Sequence, residues 1–97
     1  MRLEWTKRAD AAAVEIANYI SVDSPAAARM VVEEIHTQIG LLVEYPALGR
    51  PGRWPGTREL VVNRTPYIVI YRVKATSISI ARILHGAQQW PPKGSKR

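Results

Sequence analysis

The chain has no cysteine, a single acid in its second half, and no apolar run approaching the length of a membrane span. The first absence removes disulfides, thiolate nucleophiles and cysteine-based zinc sites together, and agrees with a reducing compartment. The two histidines, His36 and His85, stand far apart with no ligand spacing around them, so neither a metal nor any other cofactor is expected. A membrane helix needs about 20 consecutive apolar residues. The opening MRLEWTKRAD is charged where a secretory signal would be apolar. A cytoplasmic protein without membrane contact is therefore expected. Repeats and linkers are missing as well, and 97 residues suffice for one core but not for two.

The shortage of acid is local. Residues 1–49 contain four Lys/Arg and seven Asp/Glu, net −3, whereas residues 50–97 contain ten Lys/Arg and only Glu59, net +9. A chain polarised in this way points to a polyanionic partner, either nucleic acid or an acidic protein segment. An ordinary solvated basic surface is the plainer alternative.

Leu3 and Trp5 alternate with Arg2 and Glu4, which predicts a short strand with one face inward. Thr6 then caps a helix whose inward stripe is Ala9, Ala13, Ile16 and Ile20. Ser24 followed by Pro25 starts a second helix with the stripe Ala28, Val31, Val32, Ile35, Ile39 and Leu42, closed by Pro46. The stretch YPALGRPGRWPG over 45–56 has three prolines and three glycines and predicts a loop, not a regular element. Three strands follow, over 58–62, 67–73 and 77–84, joined by turns short enough for antiparallel hairpins. The last seven residues, PPKGSKR, have nothing apolar to bury and predict a flexible basic tail over 91–97. The order is β-α-α-β-β-β, an α+β architecture in which a helical hairpin covers one face of an antiparallel sheet.

Arginine is rarely buried without a partner, yet RELVVNRTPYIVIYRV places Arg58, Arg64 and Arg72 in the most apolar strands, with Arg82 soon after. Strict alternation puts Tyr67, Val69, Tyr71 and Val73 on one face and Ile68, Ile70, Arg72 and Lys74 on the other. The same rule groups Arg82 with Ile78, Ile80 and Leu84, and Ile83 with His85. Both faces are apolar, so the second face is expected to be partly covered by the loop, the tail or a partner. Arg58 beside Glu59, and Arg72 across the hairpin, are candidates for cross-strand ion pairs.

The alanine-rich helical hairpin, the loop YPALGRPG, then RELVV, PYIVIYRV and the closing RILHGAQQWP together resemble the RelE/ParE superfamily of toxins from bacterial type II toxin–antitoxin modules. The likeness covers residues 2 to 90 and implies a single toxin domain over 1–90. It also implies a cognate antitoxin encoded nearby, whose acidic, partly disordered C-terminal segment wraps the toxin, and a target whose poisoning stops growth. RelE-like members cut messenger RNA on the ribosome, and ParE-like members poison DNA gyrase.

An RNA cutter needs a proton acceptor for the 2′-hydroxyl, positive charge for the transition state and a donor for the leaving oxygen. Arg58, Arg64 and Arg82 supply charge, His85 is the acid–base candidate, and Tyr67 or Tyr71 could stack on a base. The RelE-like set also places a basic residue just beyond the last strand and a tyrosine near the C-terminus, where this chain has Ala87, Gln88, Gln89 and Trp90. That departure favours ParE-like inhibition of gyrase, with Arg50, Arg53, Trp54, Arg72 and Trp90 as contacts to target or antitoxin. A ribosome-dependent messenger RNA endonuclease is the second reading. A non-toxic nucleic-acid-binding module is the third, and no arginine-clustered recognition helix supports it.

Overall fold

The computed structural model describes residues 1–86, 90 and 91. The chain runs β1 (Arg2–Trp5), α1 (Lys7–Ser21), α2 (Pro25–Gly40), a short 3₁₀ turn over Leu41–Val43, β2 (Arg50–Pro51), β3 (Arg58–Val61), β4 (Tyr67–Val73) and β5 (Ser77–His85). Both helix starts follow from their caps. The Thr6 hydroxyl accepts the Ala9 N–H at 3.1 Å, and Ser24 accepts the Ala27 N–H at 3.1 Å ahead of Pro25. Thr6 also donates toward the Ile80 carbonyl at 3.0 Å, which ties the start of α1 to β5. Among the described residues no helix is long and apolar enough to cross a membrane.

The sheet order is β1-β5-β4-β3-β2. The expected antiparallel sheet is in fact mixed, because β1 lies parallel to β5, with Leu3 opposite Ile78 and Trp5 opposite Ile80. After the helical hairpin the chain enters the sheet at its far edge as β2 and works back through β3 and β4, so that β5 arrives beside β1 and runs parallel to it. The loop over 45–56 is also not wholly irregular: Arg50 and Pro51 pair with Glu59 and Arg58 as a two-residue edge strand. Pro51 fits there because an edge position can do without an N–H.

The main core lies between the hairpin and the sheet. Ala9, Ile16, Ile35, Ile39 and Leu42 pack against Leu60, Val62, Tyr67, Val69, Tyr71, Ile78, Ile80 and Ile83. The second face carries a smaller cluster, Ile70, Leu84 and Trp90, with Trp54 and Ile68 against it. The loop, through Trp54, therefore covers part of it as expected, together with Trp90 just ahead of the tail. The rest of the expected tail, residues 92–97, lies outside the described residues, and Pro91 is half-buried.

One face assignment needs correction. Ile70 is opposite Arg82 but Tyr71 is opposite Ile80, so Ala81 is an extra residue in β5. Such a bulge reverses the alternation beyond it. Ile78 and Ile80 face the helices while Arg82 and Leu84 turn to the second face. The expected grouping of Arg82 with Ile78 and Ile80 fails for this reason.

Gly40 ends α2 at φ −58°, and a Cβ there would meet nothing within 4 Å. Gly40→Ala is expected to stabilise the fold by about 0.5–1 kcal/mol, mainly by restricting the unfolded chain. A rise of a few degrees in the calorimetric midpoint checks it; no rise would mean the site is less open than it looks.

Candidate functional site

Two surfaces compete for the role. The first is a groove of about 740 Å³ between α1 and the far half of β5, floored by Ile16, Ile20, Val31 and Ile83 and rimmed by Arg8, Tyr19, Tyr67, Arg82 and His85. It exists because β1 stops at Trp5. Beyond the Trp5–Ile80 pair, β5 has no further strand on that side among the described residues. Small residues at Ala11 and Ala12 keep the α1 wall low. Tyr19 is 78 % exposed, an aromatic off the apolar stripe of its helix. Burial, and secondarily Tyr19, raise the Tyr67 hydroxyl pKa above the ordinary phenol value. The Tyr67 and His85 rings meet edge to face at 5.7 Å.

The second surface is the loop between α2 and β3, where most of the expected contact arginines are found. Glu59 is 1 % exposed. Its carboxylate accepts from Arg50 Nη2 at 3.0 Å, from Arg53 Nε at 3.1 Å and Nη2 at 3.2 Å, and from the Arg53 backbone N–H at 2.9 Å. Burial alone would raise its pKa. The Arg53 and Arg50 donors more than offset this and hold the carboxyl below the ordinary carboxylate value. Arg50 and Arg53 thus have a structural task, sealing the protein's one buried acid in the described region, although both guanidiniums remain about half exposed. Beside them, the fully buried Tyr71 hydroxyl donates to the Pro46 carbonyl at 2.7 Å and accepts the Gly49 N–H at 2.9 Å.

The expected RNA-cutting set is divided. Arg58 does not pair with Glu59; it donates to the Gly49 carbonyl at 2.6 Å. It stands opposite Tyr71, four residues along β4 from the Tyr67–His85 pair, roughly 13 Å away at strand spacing. Arg64 is exposed in the turn near that pair, at φ 65°, a left-handed conformation that arginine adopts at a cost. Arg82 lies on the groove rim with its guanidinium 5.3 Å from the centre of the Trp90 ring. Burial, then the nearby Arg8 charge, lower its pKa. Arg72, opposite Ser79, makes no ion pair among the described residues, so the cross-strand pair expected for it is absent. Trp54 and Trp90 pack against each other as a tilted pair, ring centres 4.7 Å apart at 43°. Arg8, Glu15 and Tyr19 were not singled out from the sequence; the one hint was an exposed tyrosine on a helix face otherwise polar.

A helical hairpin over a five-stranded β-α-α-β-β-β-β sheet, with an apolar groove beside α1, is the architecture implied by the resemblance to RelE/ParE toxins. Comparison with known proteins narrows this. Residues 3–90 match the family described as ParE toxin of type II toxin-antitoxin system, parDE. "Putative toxin Y4kP" of Sinorhizobium fredii (strain NBRC 101917 / NGR234) is 48 % identical over 90 residues, covering 93 % of each chain. Among solved structures, a chain of the chromosomal ParDE TA system from P. aeruginosa is 35 % identical, with TM-score 0.79, covering 88 % of this chain and 95 % of that one. YafQ from E. coli strain BL21(DE3) shares the fold at TM-score 0.60 and 19 % identity, over 90 % of this chain and 96 % of its own. The chain belongs to the ParE toxin family of type II toxin–antitoxin systems.

Proposed function

We propose that residues 1–90 form one toxin domain that arrests growth in the cytoplasm by ParE-like inhibition of DNA gyrase, and that a cognate antitoxin holds it in check. The division of the arginines carries this reading. Arg58 is committed to the Gly49 carbonyl, roughly 13 Å from the Tyr67–His85 pair, so of the expected phosphate-binding charge only Arg64 and Arg82 stand at the His85 end of the sheet. Losing one transition-state donor typically costs 100-fold or more. A scaffold that lacks one of the three charges at that end is better suited to jamming a target than to cutting RNA. The relationship to a chromosomal ParDE system agrees with it.

The antitoxin contact follows from the groove. Its floor is apolar and its rim carries two arginines, Arg8 and Arg82, against one acid, Glu15, which fits an acidic amphipathic segment. Ordering such a segment costs free energy, so the contact must be extensive. One observation keeps the endonuclease as a second reading: Arg64, Tyr67, Arg82 and His85 share one end of the sheet.

The test uses purified protein freed of antitoxin, assayed for gyrase supercoiling and for message cleavage on programmed ribosomes. Inhibited supercoiling with intact message is the expected result. Message cleavage that disappears in Arg82→Ala or His85→Ala would replace this reading with the second.

A further inference from the structure

The α1–β5 groove has an unbalanced rim. Arg8 and Arg82 both line it, and neither has a carboxylate partner among the described residues. The one acid in the lining, Glu15, lies seven residues from Arg8 along α1, roughly 10 Å down the helix axis. Arg82 is also partly desolvated, with Arg8 as the other influence on it. Two like charges held at the mouth of an apolar groove raise each other's energy until an anion lies between them.

Arg82 is also held from behind. Its guanidinium lies over the Trp90 ring on the opposite sheet face. A guanidinium held over a ring by cation–π attraction still has N–H donors to offer a carboxylate. Trp90 is 7 % exposed and is fixed by Ile70, Leu84 and the Trp54 ring. The adjacent Arg53 anchors that loop through Glu59. Neither indole N–H finds an acceptor among the described residues, so ring packing positions the pair.

We propose that Arg8 and Arg82 form a carboxylate clamp for an acidic side chain of the antitoxin segment in this groove, and that Trp90 is a positioning residue that orients Arg82 from the far face of the sheet. The clamp rests on the antitoxin reading above and adds the residues that select its partner. A lysine at 82 keeps the charge but loses the forked geometry.

The test is titration calorimetry of the purified toxin with the antitoxin encoded beside it, at two salt concentrations. Arg8→Gln and Arg82→Gln are each expected to weaken binding about 10- to 100-fold and to flatten its salt dependence. The double variant should lose less than the sum, because the two residues share one anion. Arg82→Lys should not restore affinity. Trp90→Leu should weaken binding although its side chain lies outside the groove; if that variant fails to fold, Arg82→Lys carries the same point. A complex that forms with wild-type affinity in both glutamine variants overturns the clamp and leaves the antitoxin reading intact. Loss on Arg82→Gln with no loss on Trp90→Leu or Arg82→Lys overturns the role of Trp90. No complex with the unaltered toxin would remove the antitoxin reading and the clamp with it.

Discussion

Replacing Arg50 and Arg53 together by alanine is expected to destabilise the protein by about 3 kcal/mol or more, and Glu59→Gln by less, about 1–2 kcal/mol. The asymmetry follows from exposure. The Glu59 side chain is fully buried, whereas the Arg50 and Arg53 side chains are 58 % and 49 % exposed. Removing the arginines strands a carboxylate with one backbone donor from residue 53. Removing the carboxylate charge leaves two guanidiniums that turn to water. Urea unfolding measures both, and an equal loss in the two variants would mean that water already reaches Glu59. Acid should mimic part of the effect. The folded-state pKa of Glu59 is depressed, so the unfolded chain takes up its proton first. This stability is complete well above the ordinary carboxylate range and is lost as pH falls below about 5 through the lower folded value. In Glu59→Gln the acid branch of the stability profile should be shallower.

Gly49→Ala is expected to cost about 2–4 kcal/mol and to lower the thermal midpoint by roughly 10–20 °C. A Cβ at Gly49 would lie 2.8 Å from the Glu59 carbonyl oxygen, 2.9 Å from its carbon and 2.8 Å from the Tyr71 ring. Two of these neighbours are sheet backbone and the third is fully buried, so none can move aside cheaply. A shift at Gly49 would also disturb its N–H bond to Tyr71 and its carbonyl bond from Arg58. Scanning calorimetry checks it. A midpoint within a degree or two of the parent would show that the loop yields where this packing says it cannot. Tyr71→Phe probes the same junction more gently, leaving the Gly49 N–H and Pro46 carbonyl short of a partner at about 1–3 kcal/mol.

Much of the architecture was legible because it rests on local rules. Thr6 and Ser24–Pro25 read as helix starts because a side-chain oxygen satisfies a backbone donor within three residues. Tyr67–Val73 read as a strand with the correct inward set because β4, in mid-sheet, keeps strict alternation. The same rule failed in the next strand. Nothing near Ala81 announces a bulge, since the extra residue is set by β5 having to meet β4 on one side while β1 and Thr6 hold it on the other.

The candidate site was less legible. Arg50 and Arg53 look from the sequence like free cations in a basic loop and Arg58 like a partner for Glu59, and in space Arg50 and Arg53 bind Glu59 while Arg58 binds a carbonyl. Local charge counting could not separate these from Arg82, because the distinction depends on which groups the folded loop brings within 3 Å. Arg8 was overlooked for the converse reason: it sits in the acidic half of the chain, and only the packing of α1 beside β5 brings it to the same rim as Arg82.

By itself the sequence determined the helical hairpin, the three-strand meander, the charge polarity and the kinship with RelE/ParE toxins, all of which are written in spacings of a few residues. Tertiary structure alone decided the parallel seat of β1, the reversal of Arg82 across the sheet, the burial of Glu59, and which arginines are spent inside the molecule. Each of these depends on contacts between segments tens of residues apart, where the free energy comes from what is desolvated together and not from what is adjacent in the chain.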